Sequence, residues 1–189
     1  MTTSCELREV RNEKRALCWA GTSEEFGTIE VRYPADGPMG STTARVLGSA
    51  IPTTLLIGWS LFDDKPRLTS AQLQVEGESV KLRRNPWAVS RKGRSLRMEY
   101  GGTEYRCRAV RRKRYVFTRP GLVVTVTQSG IGRKRRRVLV MIDGPAEPID
   151  ISLAVLFSGV NRAQLTLGGA FRTGFATILT FATDNTGRV

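Results

Sequence analysis

Arginine and lysine are the residues of this chain whose clustering offers chemistry, and that chemistry is anion binding. Between Lys81 and Val140 lie 19 of the 30 basic residues, with Glu99 and Glu104 as the only acids. The window carries 19 − 2 = +17 and the rest of the chain 11 − 15 = −4, which gives the whole-chain +13. Charge segregated in this way implies an anionic partner, whereas interspersed charge implies only solubility. The densest runs are Arg91-Lys92-Gly93-Arg94, Arg111-Arg112-Lys113 and Arg133-Lys134-Arg135-Arg136. Guanidinium and ammonium groups make charge-assisted hydrogen bonds to phosphate or carboxylate oxygens, and the planar arginine fork does so bidentately. Trp87 lies between Arg83-Arg84-Asn85-Pro86 and the Arg91 cluster, where an amphipathic aromatic suits a membrane interface or a nucleobase. Trp19 and Trp59 read as core or edge packing.

Other chemistries lack their parts. There is no histidine, which excludes histidine-activated serine or cysteine nucleophiles and removes the commonest general base at neutral pH. Cys5, Cys18 and Cys107 are odd in number and form no CxxC pair, so they read as reduced thiols without zinc-site spacing. Gly169 and Gly174 have phosphate-loop spacing, but Phe175-Ala176 stands where lysine and serine or threonine would hold phosphate and magnesium. Arg11 and Arg15 have the RxxxR spacing of cyclic-dinucleotide receptors without the DxSxxG companion, and are read as coincidence. Asp63-Asp64, beside Lys65-Pro66, reads as turn chemistry. No catalytic residue, metal site or cofactor is expected, and the protein is read as non-enzymatic.

The elements that position the basic clusters are antiparallel strands. Hydrophobic alternation predicts strands over Ser95–Tyr100, Thr103–Val110, Arg114–Thr118, Leu122–Gln128 and Arg137–Ile142. Successive turns of a meander fall at opposite ends of the sheet. The clusters at 91–94, 111–113 and 133–136 are therefore expected at one end as a basic rim, with Gly101 and Pro120 at the other. A blander account also fits: hairpin tips are solvated, and charged edges deter aggregation. Crowding three like-charged clusters nevertheless costs self-repulsion unless an anion relieves it. Arg106 and Arg108 alternate with Tyr105, Cys107 and Ala109 and should face outward.

Earlier in the chain, strands are expected at Thr28–Tyr33, Arg45–Leu47, Thr53–Phe62, Leu68–Val75 and Ser79–Leu82. Residues 1–16 read as a short charged extension, either a short strand or a helical lead-in, leaving 17–189 as a single β-rich domain. The first residues have acids and no apolar run of signal-peptide length, which predicts a cytoplasmic protein, peripheral at a membrane if it binds one. Pro148 to Ser158 is apolar on all sides, with proline at its start and Gly159 just past its end, and predicts a buried helix. It would span about 16 Å against a hydrocarbon core of ~30 Å, so no transmembrane segment is expected. Residues 165–182 read as strands or packed loop.

Hairpins from Ser95 to Ile142 followed by the Pro148–Ser158 helix resemble the tubby C-terminal-like superfamily, with its scramblase-like and LURP-one-related members. The likeness covers about a third of the chain and is one of layout. It implies a closed β-barrel around a hydrophobic helix and a basic surface that binds phospholipid head groups. About thirty residues follow the helix here, where in that superfamily it lies close to the C-terminus. The expectation is an all-β or β-rich barrel that recognises an anionic membrane surface or other polyanion. The contact residues would be Arg91, Lys92, Arg94, Arg111, Arg112, Lys113, Arg133, Lys134, Arg135 and Arg136, with Trp87 as an aromatic contact. Nucleic acid binding through the same rim, and a structural or assembly role in which charge serves solubility, are the alternatives.

Overall fold

The computed structural model describes residues 2–11, 17–35, 41–59, 65–85, 88, 90, 93–130 and 136–166. Twelve antiparallel strands close into a barrel: β1 (Thr2–Arg11), β2 (Leu17–Ser23), β3 (Gly27–Ala35), β4 (Thr42–Gly48), β5 (Thr54–Gly58), β6 (Gln72–Val75), β7 (Glu78–Arg83), β8 (Leu96–Tyr100), β9 (Thr103–Arg111), β10 (Arg114–Arg119), β11 (Leu122–Ser129) and β12 (Arg137–Asp143). Each pairs with its sequence neighbours, and β1 pairs with β12 to complete the ring, Thr2 opposite Asp143 and Arg8 opposite Arg137. The expected extension over 1–16 is thereby corrected, because Thr2–Arg11 is a wall strand. Charge on its outer face hid the period of two that buries Cys5 and Leu7. β2 was not foreseen, while the strands of the basic half lie within a residue or so of their expected limits.

Turn chemistry sets the hairpins. Gly101 and Gly102 have φ of 55° and 74°, the mirror-image turn that two-residue hairpins favour, and Pro120-Gly121 places φ +76° at glycine. Alternation then sorts the side chains: Tyr105, Cys107 and Ala109 are buried, while Arg108 is exposed and Arg106 partly so, as expected.

A twelve-stranded barrel encloses more space than its own side chains can fill, whereas about eight strands would fill it. Here the space is taken by helix α1 (Pro148–Leu156), continued by a 3-10 turn over Phe157–Gly159. Because wall surrounds it on every side, the helix needs no polar face. Ile151, Leu153, Val155, Leu156 and Phe157 are fully buried, each contributing about 1.5–3 kcal/mol of burial. The buried Ser152 hydroxyl donates to Pro52 O at 2.7 Å and lies 3.0 Å from Thr54 Oγ1. The structure thus contains the expected β-barrel around a buried helix. Strands after the helix were also expected, but residues 167–189 lie outside the described residues. No described helix is long and apolar enough to cross a membrane.

The entrance of α1 is held by charge. Asp150, fully buried, accepts the backbone N–H of Glu147 at 2.7 Å. Arg119 of β10 grips the same carboxylate with Nε and Nη2, both at 2.8 Å, and also donates to Pro145 O and Glu147 Oε1. A carboxylate in the first turn faces the positive end of the helix dipole. Midway along, the Tyr115 hydroxyl donates to Ala154 O at 2.7 Å.

Candidate anion-binding end of the barrel

An antiparallel ring sends alternate connections to alternate ends. At one end β7, β9 and β11 finish while β8, β10 and β12 begin, so the basic half of the sequence contributes its basic turns to that end. Arg83 pairs with Arg97 there, and Arg111 with Arg114 across the exposed turn Arg112-Lys113. The Lys113 carbonyl accepts Gln128 N–H at 2.7 Å, and Lys113 Nζ donates to Gly130 O at 3.3 Å. The β9–β10 hairpin is therefore joined directly to the connection leading into β12, where Arg136 and Arg137 are exposed. The stretches 83–97, 111–114 and 128–137 contain no aspartate or glutamate.

Arg111, Arg112, Lys113 and Arg136 are accordingly exposed at one end. Arg91, Lys92, Arg133, Lys134, Arg135 and Trp87 lie outside the described residues. Arg94 departs from the expected hairpin-tip position: it is only 3% exposed. Together with Leu96 and Met98 it follows the inward phase of β8, and its Nη1 donates to Ala88 O at 3.3 Å. Its Nε and Nη2 are buried with no hydrogen-bond partner. Arg94 braces this connection from inside. Gly101 and Pro120 occupy the opposite end, as expected.

Behind the exposed cations lies a second tier, buried or half-buried and structural. The last carbonyls of the helical segment face this end and need donors, since they carry the negative end of the dipole. Arg162, 8% exposed, donates to Phe157 O and to Gln128 Oε1 at 3.1 Å, with its guanidinium 4.4 Å from the centre of the Tyr115 ring. Lys65 Nζ and Gln128 Nε2 both donate to Ser158 O, at 3.1 and 2.8 Å. Burial pushes the Arg162 pKa below its ordinary value, opposed by Tyr115, Cys107 and Tyr33. Arg84 donates to Gln164 Oε1 at 3.2 Å, and Gln164 donates to Thr69 Oγ1, which ties the segment after the helix across the barrel mouth. Arg162 and Lys65 are thus committed to the fold; of the exposed hairpin residues, Lys113 holds Gly130 O and Arg136 pairs with Glu9 at 3.8 Å, while Arg111 and Arg112 are exposed at the turn.

Among the described residues the opposite end gathers acids. Glu24 and Glu25 in the β2–β3 turn, Glu76 and Glu78 at the β6–β7 turn, Glu99 and Glu104 near the Gly101-Gly102 turn, and Asp143 and Glu147 beside the helix entrance are all exposed there. Sequence reasoning missed this pole because the acids are scattered over more than a hundred positions. Only ring closure collects them. It also missed Trp59, which follows Gly58 just beyond β5 and is 65% exposed at the basic end. Its expected place in the core or at a packed edge is corrected; Trp19, 4% exposed, is core.

The thiols offer no nucleophile. Burial raises Cys5 to about 11 and Cys107 to about 12, and burial together with Glu30 raises Cys18 to about 12. All three are free. Among the described residues no group of three His, Cys, Asp or Glu side chains could hold a metal. No family model matches this chain, and neither the curated proteins nor the solved structures include a significant match.

Proposed function

We propose that the protein is a non-enzymatic binding module whose basic end docks onto an anionic surface, the phospholipid head groups of a membrane. The observation that carries this reading is the separation of charge along the barrel axis. Exposed Arg111, Arg112 and Lys113 share an end with Arg136, which Glu9 partners, while among the described residues the exposed acids gather at the other end. Such crowding repels itself unless an anion relieves it. The layout resemblance to the tubby C-terminal-like superfamily points the same way. A basic residue held near an anionic leaflet contributes roughly 1 kcal/mol, so Arg111, Arg112 and Lys113 would give about 3 kcal/mol, or roughly a hundredfold.

The test is co-sedimentation with phosphatidylcholine vesicles, with and without phosphatidylserine, alongside a DNA duplex and a single-stranded oligonucleotide. Binding to the anionic vesicles that weakens steeply between low and physiological salt is the expected result. Preference for the oligonucleotides would replace the membrane with nucleic acid as the ligand. Indifference to every polyanion at low salt would reduce the charge to a solubility device.

A further inference from the structure

Trp59 gives the basic end a feature that charge alone does not explain. Large apolar side chains that remain exposed on a soluble surface tend to mark contact sites when they share a face with other recognition groups. Among the described residues the other large exposed apolar side chains are Val10, Val123, Leu139 and Met141, and all four belong to wall strands. Trp59 alone among them lies beyond a strand end, at the end where the cations are.

The backbone around Trp59 is held in place. Its carbonyl accepts Arg67 N–H at 3.0 Å, and Pro66 O in turn accepts Asn161 N–H at 2.9 Å from the segment that caps the barrel mouth. Arg67 also pairs with Asn161 in an isolated bridge. An indole on an anchored backbone can enter an interface without the ordering cost of a loose loop. Its apolar rings and single N–H suit the boundary between head groups and acyl chains, where tryptophan is enriched.

We propose that Trp59 is the interfacial anchor of the docked barrel, seated at the head-group level of an anionic bilayer with the barrel axis upright and the acidic end directed away. This rests on the membrane reading above. The acidic pole supplies the orientation: the leaflet that attracts the Arg112-Lys113 turn repels Glu24, Glu25 and Glu76, so both ends favour the same pose. A bilayer is favoured over a nucleic acid strand because a strand needs a groove that tracks its backbone. A groove lined by Ala20, Thr28, Glu30 and Ser49 is on the wall of β2–β4, away from the basic end.

The experiment follows tryptophan emission of the Trp87→Phe variant bound to phosphatidylcholine–phosphatidylserine vesicles with brominated acyl chains. Trp19 stays buried in the core, so quenching reports Trp59. Strong quenching that disappears in the Trp59→Phe/Trp87→Phe variant is expected. Trp59→Ala should also weaken vesicle binding about tenfold. Vesicle binding by both variants with no quenching, and with unchanged affinity for Trp59→Ala, would overturn the anchor and leave the membrane reading standing. Absence of vesicle binding by the unaltered protein would overturn both. Quenching by an oligonucleotide without vesicle binding would reassign Trp59 to base stacking and end the proposal.

Discussion

Replacing Arg119 by methionine keeps an unbranched apolar stem and removes both of its 2.8 Å hydrogen bonds to Asp150. The stranded carboxylate is fully buried and retains only the Glu147 N–H at 2.7 Å. Breaking a buried pair by removing one partner costs about 3–5 kcal/mol, because a charge is left without compensation. Against a typical stability of about 5–15 kcal/mol, such a loss leaves the protein marginal. The Arg119 side chain is only 15% exposed, so solvent screening takes little from that figure. Urea unfolding monitored by circular dichroism should show the deficit at neutral pH. Arg119→Met/Asp150→Leu should recover all but about 1 kcal/mol, the remainder being the lost cap on Glu147. A single-variant cost below about 1 kcal/mol, or additive behaviour in the double variant, would refute the view that this pair fixes the helix entrance.

Three further outcomes can be checked on the same footing. Tyr115→Phe leaves the helix carbonyl of Ala154 without its side-chain donor and should cost about 1–2 kcal/mol in urea unfolding; a neutral result would mean water or another donor takes its place. Gly144→Ala should destabilise strongly, because a Cβ there would stand 2.1 Å from Gly121 O at a φ of +109°, and an unchanged melting temperature would contradict the close approach of these two turns. Cys5 titrates at about 11, and Cys18 and Cys107 at about 12, so their folded values lie above the unfolded ones. Their contribution is complete below about pH 9 and is lost as pH rises through 11 to 12. Native protein at pH 8 should resist a thiol-labelling reagent that reacts fully after unfolding, and rapid native labelling would show that the thiols are accessible.

Which parts of the fold were legible in the sequence follows from the range of the interactions. The hairpins of the basic half could be read because Gly101-Gly102 and Pro120-Gly121 set their turns locally and the intervening strands alternate strictly. The helix was legible because eleven residues apolar on all sides need a surround, and the barrel provides it. β1 was not, since its pairing partner β12 is more than a hundred residues away and outward Glu6 and Arg8 disguise its inward Cys5 and Leu7. Arg94 was misplaced for a different reason: a run of basic residues suggests a solvated tip, but the phase of the following strand points this one inward. Buried Arg162 and part-buried Lys65 gave no signal either, because their partners are helix carbonyls that exist only once α1 has threaded the barrel. The acidic pole is a property of closure alone.

A matched pair of charge reversals tests the central claim most directly. Arg112→Glu/Lys113→Glu and Lys81→Glu/Arg106→Glu change the net charge by the same amount, the first at the basic end and the second on the wall, where Lys81 and Arg106 already pair with Glu99 and Glu104. Titrating each with phosphatidylserine-containing vesicles at low salt separates a directional surface from bulk charge. A large loss of binding in the Arg112/Lys113 variant with near-normal binding in the Lys81/Arg106 variant is the predicted result. Equal losses in the two would contradict docking through the basic end.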